Sequence, residues 1–341
     1  MEERQERLSL KSSLCLKEQS LAENFGNQSR TSVFILLGLT QDPDLKIFLF
    51  CAFFFMYLIT VIGNVGIFVI IKHSSHLHTP MYFFLSHLAF IDFCYASSVV
   101  PNTMVHFLKH DRYITSFGCA TQLFMFSSLG STECLLFGVM AYDRYAAICK
   151  PLHYSVIMTK QKCYILIITS YFAAVLQAII QISSIFTLNF CGSNVINHFI
   201  CDALPLIRIS CSNTSLNKIL ITVCATIIGG GSLFIILTSY TYIVSTVVKI
   251  PSSHGKRRAF STCASHITCV TLFYGTVLFN YMHPSGTSSS VNNEIVASIF
   301  YIVVIPMLNP LIYSLRNKEV RLILDRFYSQ RTVFHCSFLH F

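Results

Sequence analysis

Charge is what this sequence has least of. Of 341 residues, 24 are Lys or Arg and 15 are Asp or Glu, 11% of the chain, where a soluble domain carries about 25%. A water-covered globular surface cannot be assembled from so few. Intrinsic disorder is excluded with it, because disordered chains are polar and charge-rich. The net charge of +9 does not point to nucleic acid either: the basic residues fall in short clusters between long uncharged runs and form no stripe. Tryptophan is absent. No cleavable leader is expected, since the N-terminal stretch mixes Glu, Arg and Lys with isolated leucines and shows no apolar core of about 7–15 residues. No phosphate-cradling loop, nucleophile–base motif, zinc-ligand spacing or internal repeat is visible.

Long apolar runs fill the space that charge leaves. About 20 apolar residues cross the hydrocarbon as a helix. Seven stretches qualify, at about 47–71, 82–107, 114–142, 163–185, 217–248, 259–281 and 295–315. They do not alternate in polarity as barrel strands do. The composition therefore predicts an all-α membrane protein, a seven-helix bundle flanked by an N-terminal tail (1–46) and a C-terminal tail (316–341). Fourteen of the Lys and Arg residues fall on one side of this arrangement and ten on the other, which places the N-terminus outside and the C-terminus in the cytosol. The sequon Asn27-Gln28-Ser29 then lies outside and predicts glycosylation at Asn27. A second, Asn213-Thr214-Ser215, lies against a span. Of 14 cysteines, Cys15, Cys119, Cys191, Cys201 and Cys211 fall outside. Cys119, Cys191, Cys201 and Cys211 can pair in three ways, and spacing does not choose among them. Cysteines within the spans read as small apolar packing.

Several motifs are specific. Leu77-His78-Thr79-Pro80-Met81-Tyr82-Phe83-Phe84-Leu85-Ser86 opens the second span, and Met140-Ala141-Tyr142-Asp143-Arg144-Tyr145 closes the third. Ser239-Tyr240 falls late in the fifth. Ala259-Phe260-Ser261-Thr262-Cys263-Ala264-Ser265-His266 opens the sixth, and Pro306-Met307-Leu308-Asn309-Pro310-Leu311-Ile312-Tyr313 falls in the seventh. Together, in this order, they resemble the olfactory (odorant) receptors of the tetrapod-type group, within the rhodopsin-like G-protein-coupled receptors. The resemblance runs from roughly residue 24 to 320. The 23 residues before it exceed the family's usual short tail and suggest an upstream start site or an additional exon. After Val320, residues 321–327 could form a short amphipathic helix, and the ending Val333–Phe341 is unusually apolar.

The resemblance implies a sensor of a small volatile, coupled to a stimulatory heterotrimeric G protein that raises cyclic AMP. It further implies a multi-pass protein of the plasma membrane, in olfactory cilia, and no enzyme. It implies disulfides Cys119–Cys201 and Cys191–Cys211. Asp143 and Arg144 then form a switch with Tyr145, Tyr240, Asn309, Pro310 and Tyr313, in which Asp143 holds the Arg144 guanidinium at rest. The bland reading is an interfacial ion pair that snorkels. Tyr274 stands where most related receptors carry a tryptophan.

Asp92 and Glu133 are the only acids in the spans, and intramembrane acids usually face the bundle interior. Two on adjacent helices suggest a shared cation or a shared proton. The resemblance implies a sodium site with Asn309 nearby; the rival is a plain hydrogen-bonded network. Helical phase counted back from Arg144 gives a stripe of Phe137, Glu133, Gly130 and Phe126, with Ser127, Ser131 and Cys134 beside it. In the sixth span Tyr274, Val277, Leu278 and Tyr281 share a face. Such stripes are more often ordinary packing than a pocket. Here the resemblance places the odorant cavity on them, with Cys224, Ala225 and Ile228 of the fifth span. That lining carries no charge and suits small, neutral, hydrophobic volatiles. The alternative from another class is a transporter, which commonly shows inverted repeats and broken helices; only one break, Gly229-Gly230-Gly231, is present. An intramembrane metal hydrolase would need several His or acidic ligands at one depth, and the 13 histidines lie mostly in loops.

Overall fold

The structure, a computed structural model, describes residues 33–109, 113–190, 194–281 and 288–316. Among them the chain folds as a bundle of long helices: α1 (Pro43–His73), α2 (Pro80–Leu108), α3 (Ser116–Cys149), α4 (Lys160–Ile185), α5 (Ser215–Val248), α6 (Ser253–Tyr281) and α7 (288–316). Six are long and apolar enough to cross a membrane, and α6 makes a seventh span if its two parts, Ser253–Ser261 and Cys263–Phe279, bent by 40°, are one. The expected helical membrane bundle is the observed one, mostly helical with six to seven apolar spans. With 34 residues, α3 is about 50 Å long at 1.5 Å per residue, so its ends stand clear of a hydrocarbon layer of about 30 Å.

Local chemistry sets the helix ends. The Asp42 side chain accepts the amides of Asp44 and Leu45 and caps α1, whose first residue is Pro43. Thr115 accepts the Gly118 amide and caps α3. This corrects the third predicted span, which began at Ile114: Ile114 and Thr115 belong to a strand, and the helix starts at Ser116.

That strand is part of a small sheet the composition did not suggest. β1 (Val33–Leu36) lies between β2 (Tyr113–Thr115), antiparallel to it, and β3 (Val195–Ile196), parallel to it. Gly38, at φ 72°, takes the left-handed backbone that follows β1. The sheet, the segment that follows β3 and a short helix, Ala203–Arg208, form a cap over one end of the bundle. The cap has its own apolar core of Phe34, Leu36, Leu123, Ile185, Ile196 and Leu206, around the Cys119–Cys201 disulfide. The last residues of the predicted N-terminal tail are therefore built into the fold.

Among the described residues two helices contain a π turn, Thr226–Gly230 in α5 and Phe300–Val304 in α7. Pro310 breaks the α7 hydrogen-bond ladder in a different way. Proline has no N–H to offer the carbonyl four residues earlier, and that carbonyl, of Pro306, instead accepts the Asn64 amide of α1 at 2.9 Å. Beside it, a Cβ on Gly63 would sit 2.8 Å from Pro310 Cγ. Only glycine lets the proline ring approach the α1 backbone so closely.

Candidate functional site

Three buried clusters occupy the bundle interior. The first lies at the end opposite the cap. Asp143 and Arg144 of α3 are 1% and 7% exposed. Asp143 does not hold Arg144: among the described residues they form no ion pair, and Oδ1 of Asp143 accepts the Tyr154 hydroxyl at 2.7 Å. Consecutive helical side chains diverge by about 100°, and the helical turn at Tyr154–Ile157 supplies a partner from outside α3. The Tyr145 ring packs at a tilt against Tyr142 and Tyr242, with centroids 6.1 and 5.6 Å apart. His266 of α6 joins three helices. Its Nε2 reaches the Phe137 carbonyl of α3 at 3.2 Å, and its Nδ1 meets the Tyr240 hydroxyl of α5 at 2.7 Å. A carbonyl only accepts, so Nε2 carries the ring proton and the Tyr240 hydroxyl donates to Nδ1. Tyr313, 3% exposed, lies in the main apolar core.

The second cluster is midway along the bundle. Asn309 of α7 donates its amide to Asp92 Oδ2 of α2 at 3.0 Å. Asp92, Glu133 and Asn309 are each 1% exposed. Asp92 Oδ1, Glu133 Oε1 and Asn309 Oδ1 are sealed from solvent with no hydrogen-bond partner. Three orphaned buried oxygens on neighbouring side chains call for an explanation, such as an ion or a shared proton.

The third cluster lies toward the cap. The Tyr274 hydroxyl of α6 donates to the Gly229 carbonyl, within the α5 π turn, at 3.2 Å, and meets the Cys134 thiol of α3, also at 3.2 Å. The Ser232 hydroxyl of α5 donates to the Cys134 carbonyl. Phe126 of α3 lies between Tyr95 of α2 (centroids 5.4 Å apart) and Tyr301 of α7 (5.5 Å). Ile228 and Val277 are partly buried against the same core.

A family model described as olfactory receptor matches residues 53–331. The chain belongs to the olfactory receptor family. It is similar to human olfactory receptor 5B21, with 49% identity over 308 residues, covering 89% of this chain and 99% of that protein. It is also similar to mouse olfactory receptor 8U3, with 50% identity over 295 residues, covering 86% and 92%. The crystal structure of squid rhodopsin shares the fold, at a TM-score of 0.68 and 19% identity, over 85% of this chain and 82% of that one. Family and fold together make this chain a multi-pass plasma-membrane receptor and not an enzyme.

Within the olfactory receptor, the stripes read from helical phase divide. Cys134 and Tyr274 meet across α3 and α6, Phe126 contacts Tyr95 and Tyr301, Gly130 faces Tyr95 of α2, and Val277 and Ile228 pack against the main apolar core. Ser127 and Ser131 do not face that interior. Their hydroxyls donate to Gln181 and Gln177 of α4, each at 2.8 Å, and the Gln177 amide donates to Gln181 at 2.7 Å. Hydrocarbon offers these hydroxyls no partner and glutamines do, so the serines turn to α4. The spacing of Gln177 and Gln181, four apart in an uncharged span, matches that of Ser127 and Ser131; that pairing was the unused signal. Leu278 is 53% exposed, Ala225 is exposed and Cys224 is partly so. The side chain of Tyr281 lies outside the described residues, as do Asn27, Cys191 and residues 321–327. Cys119–Cys201 is present, with Cα atoms 5.3 Å apart. Cys211 is disulfide-bonded.

Proposed function

We propose that this receptor binds a small, mostly hydrophobic volatile in the cap-end half of the bundle and activates a stimulatory heterotrimeric G protein, raising cyclic AMP. The observation that carries this reading is the position of Tyr274. Its hydroxyl ties α6 to the α5 π turn and to α3, and two turns along the same helix His266 ties α6 to α3 and α5 again. A ligand wedged against Phe126, Val277 and Tyr274 weakens the first tie. Because Tyr274 and His266 lie on the same part of α6, Cys263–Phe279, the second tie loosens with the first and uncovers Arg144 to the G protein. Two packings a few kcal/mol apart suffice for such a switch. The topology that suits it has the cap and N-terminus outside and the C-terminus in the cytosol, in keeping with the loop charges.

Asp92, Glu133 and Asn309 fit a sodium ion, since their orphaned oxygens are the hard donors such a cation takes. A bound cation would neutralise the two neighbouring carboxylates and hold α2, α3 and α7 in the resting packing.

The decisive experiment is a cyclic AMP assay on the surface-expressed receptor against a library of volatiles, with Arg144→Ala alongside. The variant should reach the surface and lose signalling; an undiminished response would remove the proposed coupling. Replacing sodium by a large organic cation at constant ionic strength should raise basal signalling, and Asp92→Asn should abolish that sensitivity. Insensitivity in the parent receptor would leave only the hydrogen-bonded network.

A further inference from the structure

Tyr95 of α2 is 4% exposed; its hydroxyl donates to no residue among those described and is not one of the fully sealed orphan atoms. Tyrosines buried this far usually place the O–H on a partner. The ring stacks on Phe126, inclined by 23°, and Phe126 in turn contacts the Tyr301 ring at a tilt of 53°. Tyr301 lies in the α7 π turn, a backbone irregularity frequent at functional sites. Across from the Tyr95 hydroxyl stands Gly130 of α3, where a Cβ would lie 3.5 Å from the oxygen. Any branched side chain at that position would crowd the hydroxyl. Tyr301 of α7, Glu133 of α3 and Asp202 of the cap all interact electrostatically with Tyr95.

We propose that Tyr95 is the receptor's specificity-determining hydrogen-bond donor, presenting its hydroxyl beside Gly130 to an acceptor oxygen (ketone, aldehyde or ester) of the volatile. This rests on the odorant-sensing reading. It assigns the polar contact to α2, on the α7 side of the bundle, and not to Ser131, whose hydroxyl is committed to Gln177. The faces of Phe126 and Tyr301 supply the apolar remainder. A ligand carbonyl offers lone pairs and no proton of its own, which complements a hydroxyl that donates to nothing among the described residues.

The test uses the full receptor at the cell surface, with aliphatic ketones as probes, each paired with an alkene of matching shape. Tyr95→Phe keeps the stacked ring and deletes only the donor. A hydrogen bond to a neutral group supports a loss of up to about tenfold. Ketone potency should fall by that order at unchanged surface level, while alkene potency stays. Gly130→Val, which sets a branched side chain against the same oxygen, should lower ketone potency more than alkene potency. Ketone potency unmoved by Tyr95→Phe, or ketone and alkene falling together, would overturn the proposal and leave the odorant reading standing. A panel inert on the parent receptor, in a library screen that also yields no agonist, would bring down both.

Discussion

His198 and Asp202 are four residues apart in the cap and titrate in opposite directions. His198 is fully buried; its Nδ1 accepts the Ile200 amide at 3.2 Å, so Nε2 carries the proton toward the Ser298 hydroxyl of α7 at 3.4 Å. Burial, with Arg208 nearby, holds its pKa down at about 3. The folded state therefore resists the proton that the unfolded chain takes up near pH 6.5, and His198 costs stability as pH falls from there toward 3. Asp202 caps the Ala203–Arg208 helix, accepting the Ala203 amide at 2.6 Å. Burial nevertheless pushes its pKa up to about 6. The folded state here binds the proton first, so acidification from 6 toward 4 adds stability. Each slope is about 1.4 kcal/mol per pH unit, and between pH 4 and 6 they cancel. Asp202→Asn, which keeps a capping side chain, should expose the histidine slope and make the purified receptor melt progressively earlier than its parent as pH drops from 6 to 4. His198→Asn should do the reverse. Parallel melting profiles for all three proteins would show the two groups to be uncoupled from folding.

At the scale of elements, the bundle is held where side chains repair irregular backbone. Asn64 of α1 fills the gap that Pro310 opens in α7, and Gly63 lets the proline ring approach. Asn64→Ala leaves the Pro306 carbonyl unsatisfied, a cost of about 1–3 kcal/mol. Gly63→Val overpacks against Pro310 for a similar cost. Both should lower the melting temperature, and the double variant should lose less than the sum, since the two residues serve one contact. Strict additivity would place them in separate contacts. The α3–α5 crossing obeys the same logic, for a Cβ on Gly138 would lie 2.9 Å from Ser232 Oγ. The Ser–Gln pairs between α3 and α4 show the limit of helical phase as a guide. Phase put Ser127 and Ser131 beside an inward stripe, but the choice of face belonged to the neighbour that carried glutamines.

For the whole molecule, the cap ties sequence-distant segments into one roof. Cys119 and Cys201 are 82 residues apart, and the Cys201 amide donates to Gln122 at 2.9 Å. Arg208 closes an ion pair with Glu294 of α7, and β1 brings in the N-terminal segment. Losing a native disulfide costs about 2–5 kcal/mol in small secreted domains. Cys119→Ser should therefore hold the receptor inside the cell, read by surface staining of an N-terminal epitope. Gln122→Leu, which removes only the hydrogen bond, should reduce staining far less. Equal retention of the two variants would mean that the covalent tie adds nothing beyond the local contact.

Fold class was legible without coordinates because the bilayer demands it: uncharged runs of the right length have few other places to go, and Asp92, Glu133, Asp143 and Arg144 stand out against them. The motifs added the family. What the sequence could not decide was partnership. Asp143 meets Tyr154, Ser131 meets Gln177, Asn64 meets the Pro306 carbonyl, and Tyr95 meets Phe126, because helices from distant parts of the chain arrive at those faces. Periodicity says which residues share a side of one helix. Which neighbour that side meets is set by the packing of all seven together, and by the cap that closes over one end.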